Sequence, residues 1–368
     1  MTRRVVVTGL GLVTPIGIGT EAVWQRLQRE ESAVKVIDRF DPSPFRSHVA
    51  AQIDDFDPVA MLDAKTARRT DRCSQLGLAA ARMALDDAAL DLGGVDPGRA
   101  GVLMGTALGG IGFAAEGNGK SLPGGRRAVD PLLALTVFGG AVSCNIAIAH
   151  GVSGVNSTNA MSCASGTLAI GQGLRAIARG EADVVLAGGS EAPLYPLCYG
   201  AFAMIRAMST RNDDPATASR PFDQGRDGFV MGEGAGVLVL EEAGHARARG
   251  ARVYAELAGF GLTNDAHHMT RPRPDSREVV RAMQLALDDA GARPEEVDWI
   301  NAHGSSTPLN DASEAAAIRT VFGSHADRLL VGGTKGWHGH MLGASGAIET
   351  AICCLGMTRG RVPGSLNC

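Results

Sequence analysis

The sequence predicts a layered α/β fold built from two related halves. Short apolar runs beside glycine, such as RVVVTGLG, AGVLMGTA and GAGVLVLEE, alternate with longer stretches of helical periodicity, as in a sheet covered by helices. Residues 7–12 are echoed by residues 257–262, each an apolar run that enters a Gly-x-Gly turn. The echo indicates a duplication joined near residue 250, with residues 1–250 as one half and 251–368 as the other.

Composition excludes several classes of function. The chain has 368 residues, 45% hydrophobic and 20% charged, so it can bury a large core. Its net charge of −4 provides no overall basic field for nucleic acid or an anionic membrane. No apolar run approaches membrane-spanning length, and the N-terminal run is too short for a signal peptide, so we expect a cytoplasmic protein. The seven cysteines form no Cys-x-x-Cys pair, which argues against a disulfide framework and a zinc site.

The Gly-x-Gly turn after the first strand also raises the possibility of a dinucleotide-binding fold. Gly9 and Gly11 match the first two glycines of that fingerprint, but the third glycine is missing. No acidic residue closes a second strand at the expected distance either. The sequence therefore disfavours a nucleotide cofactor.

Cys163 differs from the other cysteines in its neighbours. It lies in MSCASG, and the residues that follow have the spacing of a helix beginning at about Cys163. Unpaired N–H groups and the dipole at a helix start favour thiolate over thiol. From this segment alone, Cys163 is either a nucleophile or one more buried thiol.

Two histidine motifs occupy similar positions in the second half. His303 lies in NAHGSSTP and His340 in TKGWHGHMLGASG, each where a strand runs into a helix. Sheets of α/β proteins place ligand-binding groups at such strand exits, although a histidine satisfied by a loop carbonyl is the alternative. His338 and His340 could suggest a metal, but no third ligand stands at a characteristic spacing, so we expect none.

The chain order Cys163, His303, His340, with Lys335 five residues before the second histidine, resembles the β-ketoacyl synthases of the thiolase superfamily. The resemblance extends over essentially the whole chain, through long segments such as RVVVTGLGLVTPIG, SRPFDQGRDGFVMGEGAGVLVLEE and NAHGSSTPLND. It is greatest to the elongating synthases of type II fatty acid and polyketide synthesis. It implies duplicated βαβαβαββ halves in a five-layered αβαβα sandwich and a dimer across a sheet edge.

The resemblance also implies a reaction. Cys163 would carry an acyl chain, His303 and His340 would flank a malonyl thioester carbonyl, and Lys335 and Glu349 would organise the second histidine. The product of this decarboxylative condensation would be 3-oxoacyl-[acyl carrier protein], and the only prosthetic group would be the phosphopantetheine arm of the carrier. The charge of Lys335 would favour the neutral form of an adjacent histidine.

Further residues are expected from family position. The pantetheine tunnel is expected to include the hydroxyls of Thr270, Ser305 and Thr307, and the acyl pocket is expected to include Leu108, Leu133 and Phe202. The acidic carrier protein would dock on a local basic patch, for which an ordinary solvated face is the alternative. The expected members of this patch are Lys65, Arg68, Arg69, Arg72, Arg126, Arg127 and Arg206.

The sequence departs from the family in four places. The familiar Gly-Phe-Gly-Gly-Thr-Asn segment is absent because the chain stops at GSLNC, so we expect the second half to lack its final strands and one oxyanion-hole N–H. Ser305 stands where threonine is usual, and Trp337 and His338 replace smaller residues. Leu133 stands where an aromatic residue often enters the acyl pocket of the partner subunit.

Three other functions compete with this interpretation. A thiolase uses a second cysteine, but Cys353 and Cys354 follow a helical run and not a glycine-rich loop. A non-catalytic chain-length partner would lack the nucleophile, although an active chain could pair with such a subunit or with its own copy. A cysteine hydrolase would release free acid without malonate.

Overall fold

A computed structural model describes residues 3–124 and 129–368 of the chain. The strands of the first half are β1 (Val5–Thr14), β2 (Gly17–Ile18), β3 (Lys35–Val36), β4 (Val49–Ala51), β5 (Ala100–Gly105), β6 (Asn156–Asn159), β7 (Val184–Glu191), β8 (Met231–Gly232) and β9 (Gly234–Glu242). Its helices are α1 (Thr20–Leu27), α2 (Pro58–Met61), α3 (Ala64–Arg69), α4 (Arg72–Ala88), α5 (Ile111–Gly124), α6 (Leu133–Thr136), α7 (Ala141–His150), α8 (Ser165–Ala178), α9 (Pro196–Met204) and α10 (Ala243–Ala248). The second half contains β10 (Ala255–Leu257), α11 (Arg277–Ala290), β11 (Trp299–Asn301), α12 (Pro308–Phe322), β12 (Leu330–Gly332), α13 (Lys335–His338) and α14 (Ser345–Arg359).

The main sheet has the strand order β10-β1-β9-β7-β5-β6. Strands β5, β6 and β7 run parallel to one another, whereas β9 is antiparallel to both β1 and β7. Every residue of β1, β5 and β7 is buried. Helices on both faces of the sheet explain why these strands are continuous apolar runs without polar alternation.

The helices and sheets form five layers, as the family resemblance predicted. Helices α4 and α7 cover one face of the main sheet, and α8 and α14 cover the other. Beyond α14 lies the parallel pair β11–β12, joined to that helix where the Asn301 side chain donates to the Glu349 carbonyl. Helix α12 packs on the far side of this pair through Ile318 and Ile300, and α11 packs on α12. The thiolase-like architecture is therefore confirmed.

The two halves repeat one order of elements. The first runs β1-α4-β5-α7-β6-α8-β7-β9, and the second runs β10-α11-β11-α12-β12-α14, with no further strand in the part that the structure describes. Gly9 and Gly11 lie against the backbone of α4, where an added Cβ would come within 2.1 and 1.8 Å of a carbonyl oxygen. Gly259 and Gly261 lie against α11 in the same way, at 2.3 and 2.0 Å. These glycines therefore allow a strand and a helix to approach closely.

No helix within residues 3–124 and 129–368 is long and apolar enough to cross a membrane.

Candidate active site

Cys163 lies in a tight turn between β6 and α8. Ser162–Ala164 form a single 3₁₀ turn, and α8 begins at Ser165, two residues later than the sequence predicted. Ser162 has a φ of +53°, a left-handed backbone conformation that residues other than glycine seldom adopt. The turn therefore places the sulfur just ahead of the helix start.

The same turn occurs a second time at the start of α14. MSCASG around Cys163 is matched by MLGASG around Gly343, and the position before each of these residues has positive φ, +53° at Ser162 and +41° at Leu342. Each turn is a 3₁₀ segment that leads directly into a long helix. This repeat was not predicted from the sequence, although four of its six positions are identical.

The structure brings together the cysteine and both predicted histidines. His340 Nε2 lies 3.0 Å from Cys163 Sγ, and the rings of His303 and His340 meet edge to face with centroids 5.1 Å apart. The sulfur and one nitrogen of each ring all lie within 4.8 Å of one another. A cavity of about 400 Å³ opens beside them, and its lining includes Thr167 and Asn301.

The electrostatic environment of Cys163 differs from the one expected at a helix start. Burial raises the pKa of the thiol, and this effect exceeds the lowering by the Ser162 hydroxyl and the charge of Lys335. The helix start alone was expected to favour thiolate, so the net direction is opposite to that expectation. A hydrogen bond donated by His340 would consequently help to stabilise the ionised sulfur.

Lys335 is fully buried between the two histidine segments. Its Nζ donates to the His303 carbonyl and to Glu349 Oε1, both at 2.5 Å. Burial first, and the charge of Lys335 second, lower the pKa of His303 to about 3. Burial, His303 and Lys335 likewise lower the pKa of His340 well below its usual value. Both rings are therefore neutral hydrogen-bonding groups near pH 7, mainly through desolvation.

Glu314 holds the His303 segment, a role that was not predicted from the sequence. Its carboxylate accepts from the N–H of His303 at 2.6 Å and from the N–H of Gly304 at 2.9 Å. Burial raises the pKa of Glu314, while the two N–H donors and Lys335 oppose that rise. The available signal was an acidic residue in the alanine-rich first turns of α12, directly after the histidine motif.

Glu191, at the end of β7, joins the loop after β5 to the turn at Gly343 in a similar way. Its carboxylate accepts from the N–H groups of Ala107 at 2.6 Å, Leu108 at 3.1 Å and Gly343 at 3.0 Å. Burial raises the pKa of Glu191 to about 7, although these three N–H donors act to lower it. The segment ADVVLAGGSEA predicted only a strand, and the role of Glu191 was not predicted.

The predicted acyl-pocket residues separate into two groups. Leu108 and Phe202 pack in one apolar cluster with Cys163 and Phe229. Leu133 lies outside that cluster, on the short helix α6 that packs on α5. A role for Leu133 in a partner subunit stays a prediction.

The three predicted tunnel hydroxyls also lie in different places. Ser305 Oγ and Thr307 Oγ1 are 2.9 Å apart, and Thr307 caps α12 by accepting from the N–H of Asn310. Thr270 lies on an exposed loop, where its N–H donates to His268 Nδ1 at 3.1 Å. Contact of these residues with pantetheine stays a prediction.

The predicted basic patch is only partly available. Lys65, Arg68 and Arg69 are exposed on α3, and Arg206 is exposed after α9. None of these four has a carboxylate within 4.0 Å among the residues that the structure describes. Arg126 and Arg127 lie outside the described residues.

Arg72 was wrongly included in this patch. Its guanidinium binds the buried carboxylate of Glu233 at 2.8 and 2.9 Å, and Arg39 binds the same carboxylate from another side. The two arginines overcome the desolvation of Glu233 and lower its pKa to about 2. Arg72 is therefore held in an ion-pair cluster around a buried carboxylate, unlike the exposed cations of α3.

The convergence of one sulfur and two ring nitrogens also raises the question of a metal. Zinc with Zn–S of ~2.3 Å and Zn–N of ~2.0–2.1 Å would hold tetrahedral ligand atoms about 3.5 Å apart. The distance between Cys163 and His340 is 3.0 Å, which fits a hydrogen bond better. His338 uses both ring nitrogens in other hydrogen bonds, Nε2 with Thr334 Oγ1 at 2.9 Å and Nδ1 with the Gly339 carbonyl at 2.8 Å.

Comparison with known proteins agrees with this site. Residues 2–246 match the N-terminal domain of the β-ketoacyl synthases, and residues 254–368 match the C-terminal domain. The 3-oxoacyl-[acyl-carrier-protein] synthase 2 of Coxiella burnetii is 44% identical over 365 residues, covering 99% of this chain and 88% of the relative. The Synechocystis protein of the same name is 42% identical with the same coverage.

Solved structures agree as well. The ishigamide ketosynthase/chain length factor aligns with a TM-score of 0.91 and 36% identity, over 99% of this chain and 88% of the other. A type II polyketide ketosynthase bound to a hexaketide, in complex with its acyl-carrier protein, aligns with a TM-score of 0.89 and 35% identity, over 97% and 86%. With these matches, and with its cysteine and two histidines brought together, the chain belongs to the β-ketoacyl synthase family.

Proposed function

We propose that the chain catalyses decarboxylative condensation of an acyl thioester with malonyl-[acyl carrier protein], forming 3-oxoacyl-[acyl carrier protein]. The observation that carries this proposal is the placement of one ligand atom each of Cys163, His303 and His340 within 4.8 Å, beside a cavity that Cys163 and His303 line. A nucleophilic sulfur beside two neutral imidazoles suits acyl transfer followed by stabilisation of an enolate. The names of the curated relatives support the same reaction.

In the first half-reaction the Cys163 thiolate attacks the carbonyl carbon of the acyl thioester. The new sulfur–carbon bond forms, and the carrier thiolate leaves. The negative oxygen that develops in between needs N–H donors, to which we assign the N–H of Cys163 as one contributor. The acyl chain then extends toward Leu108 and Phe202, which share an apolar cluster with Cys163.

In the second half-reaction the malonyl group loses carbon dioxide and leaves an enolate. N–H groups of His303 and His340 donate to its oxygen while its carbon attacks the acyl carbonyl carbon. A carbon–carbon bond forms and the Cys163 sulfur leaves as thiolate. Electrons balance within the substrates, so we propose that no metal or redox cofactor takes part. Exhaustive chelation should leave turnover unchanged, and a loss restored by zinc would contradict this proposal.

The partner that we propose is an acidic carrier protein. The exposed cations of α3 and Arg206 offer complementary charge, since no carboxylate among the described residues lies within 4.0 Å of them. Arg206 also shares a surface cavity of about 280 Å³ with Arg46, next to the exposed apolar side chains of Met204 and Ile205. A surface that combines cations with apolar contacts suits a carrier protein.

We propose that the chain dimerises through β6, with a second copy or with a related chain-length subunit. Strand β6 is the last strand of the main sheet, so one of its edges is free in the described chain. The exposed apolar side chains of Ile148 and Met161 lie beside it in sequence. Ile148→Glu should shift the sedimentation coefficient to that of a monomer, whereas Val36→Glu at another exposed site should not.

The proposed reaction is tested by supplying acyl-carrier and malonyl-carrier proteins and measuring acyl-enzyme, carbon dioxide and 3-oxoacyl product by mass spectrometry. Cys163→Ala should abolish loading and product, while Cys144→Ala, at an exposed thiol, should not. Free acid released without malonate would instead identify a hydrolase. No loading of wild-type enzyme, alone or with a partner subunit, would identify a non-catalytic chain.

A further inference from the structure

Ser345, the first residue of α14, lies behind the ring of His340. Its side chain is buried, and its Oγ lies 3.0 Å from His340 Nδ1. Within the part of the chain that the structure describes, this nitrogen is the single hydrogen-bond partner of the hydroxyl. The other ring nitrogen, Nε2, faces Cys163. Ser345 therefore contacts the catalytic ring on the side away from the sulfur.

Hydrogen-bond accounting decides which atom donates. A neutral imidazole has one N–H and one bare nitrogen, and burial lowers the pKa of His340 far enough to keep it neutral. If Nδ1 carried the hydrogen and donated to Ser345, the buried hydroxyl hydrogen would have no acceptor. Buried donors without acceptors are costly and rare. If the hydroxyl donates to Nδ1, every group is satisfied.

The duplicated turn provides an internal comparison. Ser165 occupies the position of Ser345 at the start of α8 and is equally buried. Its hydroxyl donates to the carbonyl oxygens of Thr106 at 3.1 Å and Ser162 at 2.7 Å. Ser345 has no such carbonyl among its contacts in the described chain, and His340 Nδ1 takes their place.

We propose that Ser345 is a positioning residue that fixes the tautomer of His340. Its hydroxyl donates to Nδ1, so the ring hydrogen lies on Nε2. His340 is then a hydrogen-bond donor toward the Cys163 thiolate before loading, and toward the malonyl thioester oxygen during condensation. The second role rests on the proposed function, whereas the tautomer itself does not.

The tautomer can be measured directly. Long-range ¹H–¹⁵N correlation spectra of enzyme labelled with ¹⁵N-histidine distinguish protonated from bare ring nitrogens, and His340→Gln identifies the resonances of His340. Wild-type enzyme should show protonated Nε2 and bare Nδ1. Ser345→Ala should populate the form protonated at Nδ1, while Thr350→Val, which removes a hydroxyl elsewhere on α14, should not. Protonated Nδ1 in the wild type, or an unchanged tautomer in Ser345→Ala, would overturn the proposal.

Activity provides the second readout. Ser345→Ala should lower kcat for malonyl decarboxylation by about two- to tenfold, the equivalent of one ordinary hydrogen bond, with little change in KM. Thermal unfolding of Ser345→Ala is measured in parallel to check that the variant is folded. Alanine is compatible with a buried position at the start of a helix. A changed tautomer with unchanged kcat would refute the catalytic consequence. Absence of condensation by the wild-type enzyme would instead refute the proposed function and leave the tautomer result standing.

Discussion

His340 Nε2 lies 3.0 Å from Cys163 Sγ, although the two residues are 177 positions apart and belong to different halves. Because burial raises the pKa of this thiol, the thiolate depends on a neighbouring donor as well as on the helix start. The second half therefore contributes to both half-reactions.

Replacing His340 should affect loading and condensation to different extents. We expect His340→Ala to slow acyl loading about tenfold through loss of one hydrogen bond to a charged sulfur. Condensation should fall by roughly 10² to 10³, as expected for loss of an oxyanion donor. His340→Gln keeps an N–H donor and should load faster than His340→Ala. The rate of acyl-enzyme formation is measured by intact mass spectrometry. Equal rates in the wild type, His340→Ala and His340→Gln would contradict this prediction.

Glu314→Gln should impair condensation more than loading. The carboxylate holds the N–H groups of His303 and Gly304, and the amide substitute can accept only one of them well. Loss of a charge-assisted bond corresponds to about a tenfold or larger fall in decarboxylation. Glu295→Gln, at an exposed site of the same half, is the control. Equal loss of loading in Glu314→Gln would show that the effect extends to Cys163.

Glu191 should make stability fall as pH rises. Its pKa is about 7 in the folded chain, against an ordinary value of 4.5, so the folded chain retains a proton that the unfolded chain has lost between these values. The stability from the neutral carboxyl is present below pH 4.5 and disappears as pH rises through 7. The difference in unfolding free energy between wild type and Glu191→Gln should therefore change by up to about 3 kcal/mol over this range. Urea unfolding at pH 5 and pH 8 measures this change, and a difference independent of pH would contradict it.

Charge reversal at α3 should affect carrier-bound substrates selectively. Arg69→Glu is expected to raise KM for malonyl-[acyl carrier protein] about tenfold or more at low salt, because docking depends on complementary charge. Turnover of a small malonyl thioester mimic should be unchanged. Arg82→Glu, an exposed reversal on α4, is the matched control. Equal effects on both substrates would exclude a docking role.

Local motifs and the family resemblance together predicted part of the site. Cys163, His303, His340 and Lys335 each lie within a long motif at the start of a helix or the end of a strand. The motifs alone left a structural alternative for the cysteine and the histidines, and the resemblance favoured the catalytic interpretation. The layered fold followed from apolar strand runs and from family resemblance. Each apolar run and each motif is a short stretch of chain, whereas the resemblance extends over nearly all of it.

Residues that act through distant backbone groups were not predicted. Glu191 and Glu314 accept from N–H groups that only the tertiary structure brings to them. Arg72 was predicted to belong to the basic patch because it is close in sequence to exposed cations. Its ion pair with the buried carboxylate of Glu233 forms only in the tertiary structure. The thiol pKa was also misjudged, since burial cannot be read from a helix start.

The starts of α8 and α14 touch through two glycines. A Cβ added at Gly166 would come within 2.9 Å of the Ala347 nitrogen, and one at Gly346 within 2.0 Å of Thr167 Oγ1. Glycine at both positions therefore allows the two helix starts to lie this close, which keeps the sulfur near its imidazole. A single added methyl group at this contact would separate them. The seam between these helix starts therefore has little room for a larger side chain at either glycine.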